Sequence, residues 1–221
     1  MALEVYLVRH GKTVFNKVGR LQGWSDSPLL AEGKEAARAL GRALQGKVDF
    51  DAAFCSISPR AADTAKIILE AKGQADLPLS VIEEVREYCF GSFEGDLVQN
   101  VHGLIAQHRG FSSIETWFEA YRTGTHHMLA ETVSELDPLG LAENEAQFMG
   151  RLKQGLDILC QKSPVHGKVL LVSHGMAITG ILKLIDSQST LYKSVENATV
   201  SRLWFESGRW KIESIGENLS I

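Results

Sequence analysis

This 221-residue chain has little cysteine, and what it has is poorly placed for cross-linking. Cys55, Cys89 and Cys160 are an odd number with no CxxC spacing. That excludes a disulfide framework or a cysteine-rich zinc site and fits a reducing compartment. Long apolar runs are missing too. None approaches the roughly 18–20 residues that cross a bilayer. The N-terminus enters a strand pattern directly, with no basic, apolar and small-residue leader. The expectation is a cytoplasmic protein with no membrane partner. Excess charge of one sign is also absent. A formal net charge of −4 argues against a nucleic-acid partner but leaves room for a local basic pocket. Gly11-Lys12-Thr13 looks like the end of a phosphate-binding P-loop. That motif needs a glycine five residues before Gly11, and Tyr6 stands there. A nucleoside-triphosphatase is excluded.

What is present is an ordinary globular composition, 44% hydrophobic and 23% charged, with enough apolar material for one α/β domain. The opening stretch organises it. Val5 to Val8 is an apolar run that reads as a strand buried on both faces and ends abruptly in Arg9-His10-Gly11. A second such run, Val169 to Val172, ends in Ser173-His174-Gly175. Ala52 to Cys55 and Leu79 to Ile82 are further strand candidates. Ala and Leu spacing predicts helices over Glu32–Leu44 and Arg60–Lys72, with Pro59 suited to a first turn. A long helix is expected over Glu143–Lys162 and a further one over Met176–Ile185. The Arg20–Leu29 stretch reads as a turn-rich loop, and Thr13 to Gln22 as a loop able to fold over His10. Val200–Phe205 and Trp210–Ser214 flank a hairpin turn at Gly208. Strands alternating with helices imply a three-layer α/β sandwich. Its central sheet is mainly parallel, with helices on both faces and an antiparallel edge from the hairpin. Between about residues 96 and 136 the pattern changes to one or two aromatic-rich helices, a helical insertion in a single domain spanning 1–221.

In open parallel sheets ligands bind at the carboxyl edge of the strands. His10, His174, Arg9 and Arg60 all fall at or just after strand ends and can converge there. Arginine matches a phosphate dianion with planar paired donors, and neutral imidazole is a competent nucleophile. Glycine after each histidine would let the backbone approach a ligand. A carboxylic acid would complete a phosphoryl-transfer site by protonating the leaving oxygen. Glu83, Glu84, Glu87 and Glu94 are all eligible by composition. His102, His108, His126 and His127 have no metal-ligand spacing and read as neutral or surface residues.

Several blocks, in order, resemble the histidine phosphatase superfamily with its phosphoglycerate mutase-like fold. They are Val8-Arg9-His10-Gly11 with Thr13 and Asn16, then Gln22-Gly23, Asp26-Ser-Pro28-Leu29 and Gly33. Ser56 and Arg60-Ala61-Ala-Asp-Thr64-Ala65 follow, then Arg86-Glu87, Phe90-Gly91 and Glu94-Gly95. Val172-Ser173-His174-Gly175 closes the set. The resemblance implies that His10 is phosphorylated and that Glu87 is the proton donor and then the base. It implies that Arg9, Arg60 and His174 hold the phosphoryl group, with Asn16 and Gln22 as further pocket residues. It implies no metal and no cofactor. His174 would serve best as a cation, and His10 as a neutral ring whose other nitrogen donates to a backbone carbonyl.

The chain departs from the family pattern at Lys12, where Glu is usual, and at Ser56-Ile-Ser-Pro59, where one Ser-Pro pair is usual. Leu30 replaces a threonine, and Ala142-Glu143-Asn144 replaces Gly-Glu-Ser. The insertion has Arg109 and Arg122 but no adjacent arginine pair of the kind that glycolytic mutases carry. A mutase must retain and reorient a bisphosphate, so the expected activity is hydrolysis of a small phosphorylated substrate. Phosphoglycerate mutase is the alternative, and a non-catalytic phosphate-binding or scaffolding protein comes third. Trp117, Phe118, Tyr121, His126 and His127 are candidates to line the substrate pocket. The oligomeric state stays open, a homodimer included.

Overall fold

The computed structural model describes residues 2–219. A six-stranded sheet in the order β3-β2-β4-β1-β5-β6 forms the middle layer. Its strands are β1 (Ala2–Arg9), β2 (Ala52–Cys55), β3 (Leu79–Val81), β4 (Gly167–Ser173), β5 (Val200–Glu206) and β6 (Arg209–Glu217). The first four run parallel. β5 pairs antiparallel with β1, and β6 with β5. In the hairpin turn both Ser207 and Gly208 are left-handed, at φ 51° and 80°, so glycine supplies only half of it.

Each inner strand divides its side chains between two cores, as the two-residue period of a strand requires. Leu3, Val5 and Leu7 join Val169, Leu171, Phe54 and Leu203 on one face. Tyr6 and Val8 join Leu170, Val172, Ala53 and Cys55 on the other. The second face is covered by α2 (Ala31–Leu44) and α3 (Pro59–Lys72), through Ala37, Leu40, Ala65 and Ile68. The first is covered by α7 (Glu145–Lys162) and α8 (Gly175–Ile185). Three helices, α4 (Val98–His108), α5 (Ile114–Thr123) and α6 (Met128–Leu136), add Ile105, Trp117 and Val133 to that same core.

One short element was not expected. The stretch read as a loop after Thr13 contains α1 (Val14–Val18). Thr13 accepts from the Asn16 N–H, and the Asn16 side chain accepts from the Thr13 N–H. At five residues this helix has no apolar period to read, so only that capping pair signals it.

Candidate active site

β1 and β4 are neighbours, and Arg9 stands opposite Ser173 in their register. The residue after each strand is therefore histidine beside histidine. The His10 N–H donates to the Ser173 carbonyl (3.0 Å), and the two rings lie 5.2 Å apart. β2 lies on the far side of β4, so Ser56 and Arg60 reach the same edge. Both imidazoles are buried.

The protonation of His10 follows from its neighbours. Its Nδ1 lies 2.8 Å from the Gly11 carbonyl, which can only accept, so Nδ1 carries the hydrogen. Its Nε2 receives the Arg60 Nε–H at 3.3 Å, so Nε2 holds a lone pair. Burial, and then the Arg60 and Arg9 charges, push the His10 pKa well below the usual imidazole value. A neutral ring with a fixed, aimed lone pair is a nucleophile.

Arg60 is only 1% exposed. The sequence reading gave its guanidinium fork to phosphate; here the fork is occupied. Nη1 donates to the Ser25 carbonyl and to Asp26 (2.9 and 2.8 Å), and Nη2 to the Gln22 and Gly23 carbonyls. Its Nε is what faces the site. Arg9 is held at one end by the Val195 carbonyl (2.5 Å), and its buried Nε has no partner among the described residues.

His174 Nε2 lies 2.5 Å from the Ser56 hydroxyl, while its buried Nδ1 has no partner among the described residues. The free protein does not favour the cation that His174 is expected to become during transfer. Burial first, then Arg60, His10 and Arg9, hold its pKa well below the usual value. The glycines have a second, structural reason. A Cβ on Gly11 would sit 2.6 Å from the Gly33 carbonyl oxygen, and one on Gly175 2.5 Å from Ser194 Oγ. Neighbouring protein by itself requires them.

Among the four glutamates only Glu87 enters the site. Its Oε1 accepts from the Tyr88 and Ala177 N–H groups (3.0 and 2.9 Å), and Oε2 from Met176 N–H (3.0 Å). It thus caps the first turn of α8, directly after His174. Burial raises its pKa, against the opposing pull of those donors, Arg60 and Arg9. Glu94 accepts instead from the Gly23, Trp24, Ser25 and Phe90 N–H groups and fixes that loop. Glu83 is exposed and Glu84 half-buried.

Asn16 and Gln22 turn inward to the scaffold. Asn16 Oδ1 is taken by the Thr13 N–H and lies 3.5 Å from Asn197 Nδ2. Gln22 Nε2 bonds the Thr13 hydroxyl (3.1 Å), and its Oε1 accepts from Ser27. Four supporting residues received no role in the sequence reading. Asn197 Nδ2 donates to the His10 carbonyl (2.9 Å), and the Thr64 hydroxyl accepts from the Gly11 N–H (2.9 Å). Arg151 grips the Glu84, Arg86 and Glu87 carbonyls and pairs with Glu143 (2.6 Å). Thr64 and Glu143 lay inside quoted blocks; Asn197 and Arg151 carried no local signal. Among the described residues no three His, Cys, Asp or Glu side chains group as a metal site.

Comparison with known proteins agrees with this fold. Residues 5–218 match the model of the histidine phosphatase superfamily (branch 1). A probable phosphoglycerate mutase GpmB of Yersinia enterocolitica is 30% identical over 99% of this chain and 95% of its own length. A phosphoglycerate mutase from Bacillus anthracis superposes with a TM-score of 0.91 at 33% identity, covering 99% of this chain and 95% of that one. The alpha-ribazole phosphatase of Shigella flexneri shares the fold, with a TM-score of 0.71 at 24% identity over 97% and 96% of the two chains.

Proposed function

We propose that this chain, which belongs to the histidine phosphatase superfamily, is a metal-independent hydrolase of small phosphate monoesters, with His10 as its nucleophile. The observation that carries the reading is the lone pair on His10 Nε2. It is fixed from behind by the Gly11 carbonyl and faces the Arg60 Nε–H.

On binding, the substrate phosphoryl group takes the Arg60 Nε–H from His10 Nε2, which frees that lone pair, and sits between Arg9, Arg60 Nε and His174. His10 Nε2 attacks phosphorus, and the bond to the leaving oxygen breaks as the N–P bond forms. Glu87, whose pKa burial raises, gives its proton to that oxygen. The Glu87 carboxylate then takes a proton from water. The resulting hydroxide displaces phosphate from His10 and restores the starting state. Arg9 and Arg60 supply fixed positive charge at the transferring group. A bound dianion would draw a proton onto His174 and offset the effect of its burial. Until then the unpartnered Nδ1 is the atom free to meet a phosphoryl oxygen.

Mutase activity is the second reading, favoured by the names of the two relatives at 30% and 33% identity. The cations of the helical segment argue for hydrolysis. Arg109 is spent on Thr132 and Glu135 (2.7 and 2.9 Å), leaving Arg122 as the segment's one arginine near the site. The test is turnover of a generic aryl phosphate with and without chelator, beside interconversion of the phosphoglycerate isomers. Chelator-insensitive hydrolysis with little interconversion is expected. Activity only after added metal, or efficient interconversion, would reject the reading.

A further inference from the structure

The stretch that carries Glu87 has no regular structure to hold it. β3 ends at Val81, a single 3₁₀ turn follows over Glu83–Val85, and residues 86–90 belong to no helix or strand. A general acid must still be held to within about an ångström of its working position. No backbone ladder meets the carbonyls of this stretch, and side chains meet them instead. The Val85 carbonyl accepts from the Ser173 hydroxyl at 2.7 Å. Those of Glu84, Arg86 and Glu87 all accept from one residue, Arg151.

Arg151 stands within α7, between the buried Phe148 and Leu152. One turn further along the same face, Gly155 lets α7 close on this stretch. A Cβ there would lie 2.8 Å from Val85 Cγ1 and 3.2 Å from Glu84 Cβ. A guanidinium has five N–H donors, and here all five are spent. Nη1 donates to the Glu84 and Arg86 carbonyls, both at 2.8 Å. Nη2 donates to the Glu87 carbonyl (3.1 Å) and to Glu143 Oε2 (2.6 Å), and Nε to Glu143 Oε1 (2.7 Å). Glu143 in turn accepts from the Cys89 N–H at 3.0 Å. The Trp24 indole N–H is a second donor to the Glu87 carbonyl, at 3.1 Å. Backbone on both sides of Glu87 is thus tied to one rigid helix. The charges of Arg151 and Glu143 cancel, so the clamp adds no net charge beside a carboxyl that must keep its proton.

We propose that Arg151 is a positioning residue for proton donation: it fixes the backbone of Glu87 so that the carboxyl meets the leaving oxygen. The inference rests on the reading of Glu87 as the proton donor. Lysine cannot take this place. Its ammonium offers three donors from a single point and cannot span three carbonyls and a carboxylate.

The experiment measures kcat/KM on propyl phosphate and on 4-nitrophenyl phosphate, whose anion departs without a proton. The proteins are the wild type, Arg151→Ala, Arg151→Lys, Glu87→Gln and the double variant Glu87→Gln/Arg151→Lys. Circular dichroism checks that each is folded at the assay temperature. Arg151→Lys keeps the charge and the stem, and it carries the test should Arg151→Ala not fold. Its loss on propyl phosphate should exceed its loss on 4-nitrophenyl phosphate by about tenfold or more. The wild-type rate on propyl phosphate should fall at alkaline pH as Glu87 loses its proton, and in Arg151→Lys that fall should flatten. In the Glu87→Gln background the same substitution should cost the two esters alike, to within about twofold, because the group it positions is already gone. An equal loss on both esters in the wild-type background would make Arg151 merely structural and overturn the proposal. So would a selective loss that persists in the Glu87→Gln background, since Arg151 would then act through another group. Glu87→Gln alone tells the two readings apart. If it is selective against propyl phosphate and Arg151→Lys is not, only the positioning role fails. If neither is selective, the proton-donor reading fails and the positioning role falls with it.

Discussion

Replacing Glu87 by glutamine separates its two functions. Both carboxylate oxygens are occupied, Oε1 by the Tyr88 and Ala177 N–H groups and Oε2 by that of Met176. A glutamine oxygen can keep the first two. Its NH₂ then faces the Met176 N–H, donor against donor. One buried N–H left unpaired costs about 1–3 kcal/mol. For a chain of this size that lowers the melting temperature by about 2–12 °C. The catalytic loss is of another kind. Glutamine has no proton to give, and general-acid catalysis is worth about 10²–10⁴-fold. That loss should be greatest for esters whose leaving alcohols are poor and slight for 4-nitrophenyl phosphate, which departs as a stable anion. The assay is kcat/KM for Glu87→Gln against wild type over a series of aryl and alkyl phosphates. The variant should depend more steeply on leaving-group pKa. Wild-type activity on poor leaving groups should fall as pH rises through the raised Glu87 pKa, and the variant should lack that limb. A loss equal across the series would refute Glu87 as the proton donor and leave it a cap on α8.

Other outcomes follow from the same contacts. His174→Ala should slow phosphoenzyme formation yet leave some trappable on long incubation, as rapid-quench labelling would record. Gly11→Ala should destabilise by roughly 1–3 kcal/mol or more, because its Cβ meets the Gly33 backbone at 2.6 Å; denaturant titration measures this. Acid should destabilise the fold through His102 and His127, whose pKa values burial lowers to about 4. Their folded pKa lies below the unfolded one, so this stability is present above about pH 6.5 and is lost as pH falls toward 4. Each contributes up to roughly 3 kcal/mol. His102→Gln, which keeps an acceptor for Trp117, should flatten the slope by one histidine's share.

The layers of this fold were legible because each inner strand is apolar on both faces and each covering helix repeats its apolar residues at helical spacing. Convergence of His10, His174 and Arg60 was legible for the same reason, since parallel strands bring their carboxyl ends to one edge. What could not be read is which atoms remain free. Arg60 looked like a phosphate fork, but four oxygens 34 to 38 residues away occupy its Nη atoms. Nothing local to Arg60 reports them. Asn16 and Gln22 were readable as polar residues near His10. Their commitment to Thr13, Ser27 and the cap of α1 depends on a five-residue helix with no apolar period. That burial beside two arginines lowers the His174 pKa in the free protein could not be read from chain order.

His10 and His174 share strand end, following glycine and burial, and differ in what their ring nitrogens meet. Only His10 has a carbonyl fixing the hydrogen on one nitrogen and a guanidinium facing the lone pair of the other. Rapid-quench labelling with a phosphorus-labelled ester, followed by peptide mapping, tests that distinction directly. The label should appear, acid-labile, on the peptide containing His10 and be absent from His10→Ala. Label on the peptide containing His174, or on no histidine at full turnover, would contradict the account.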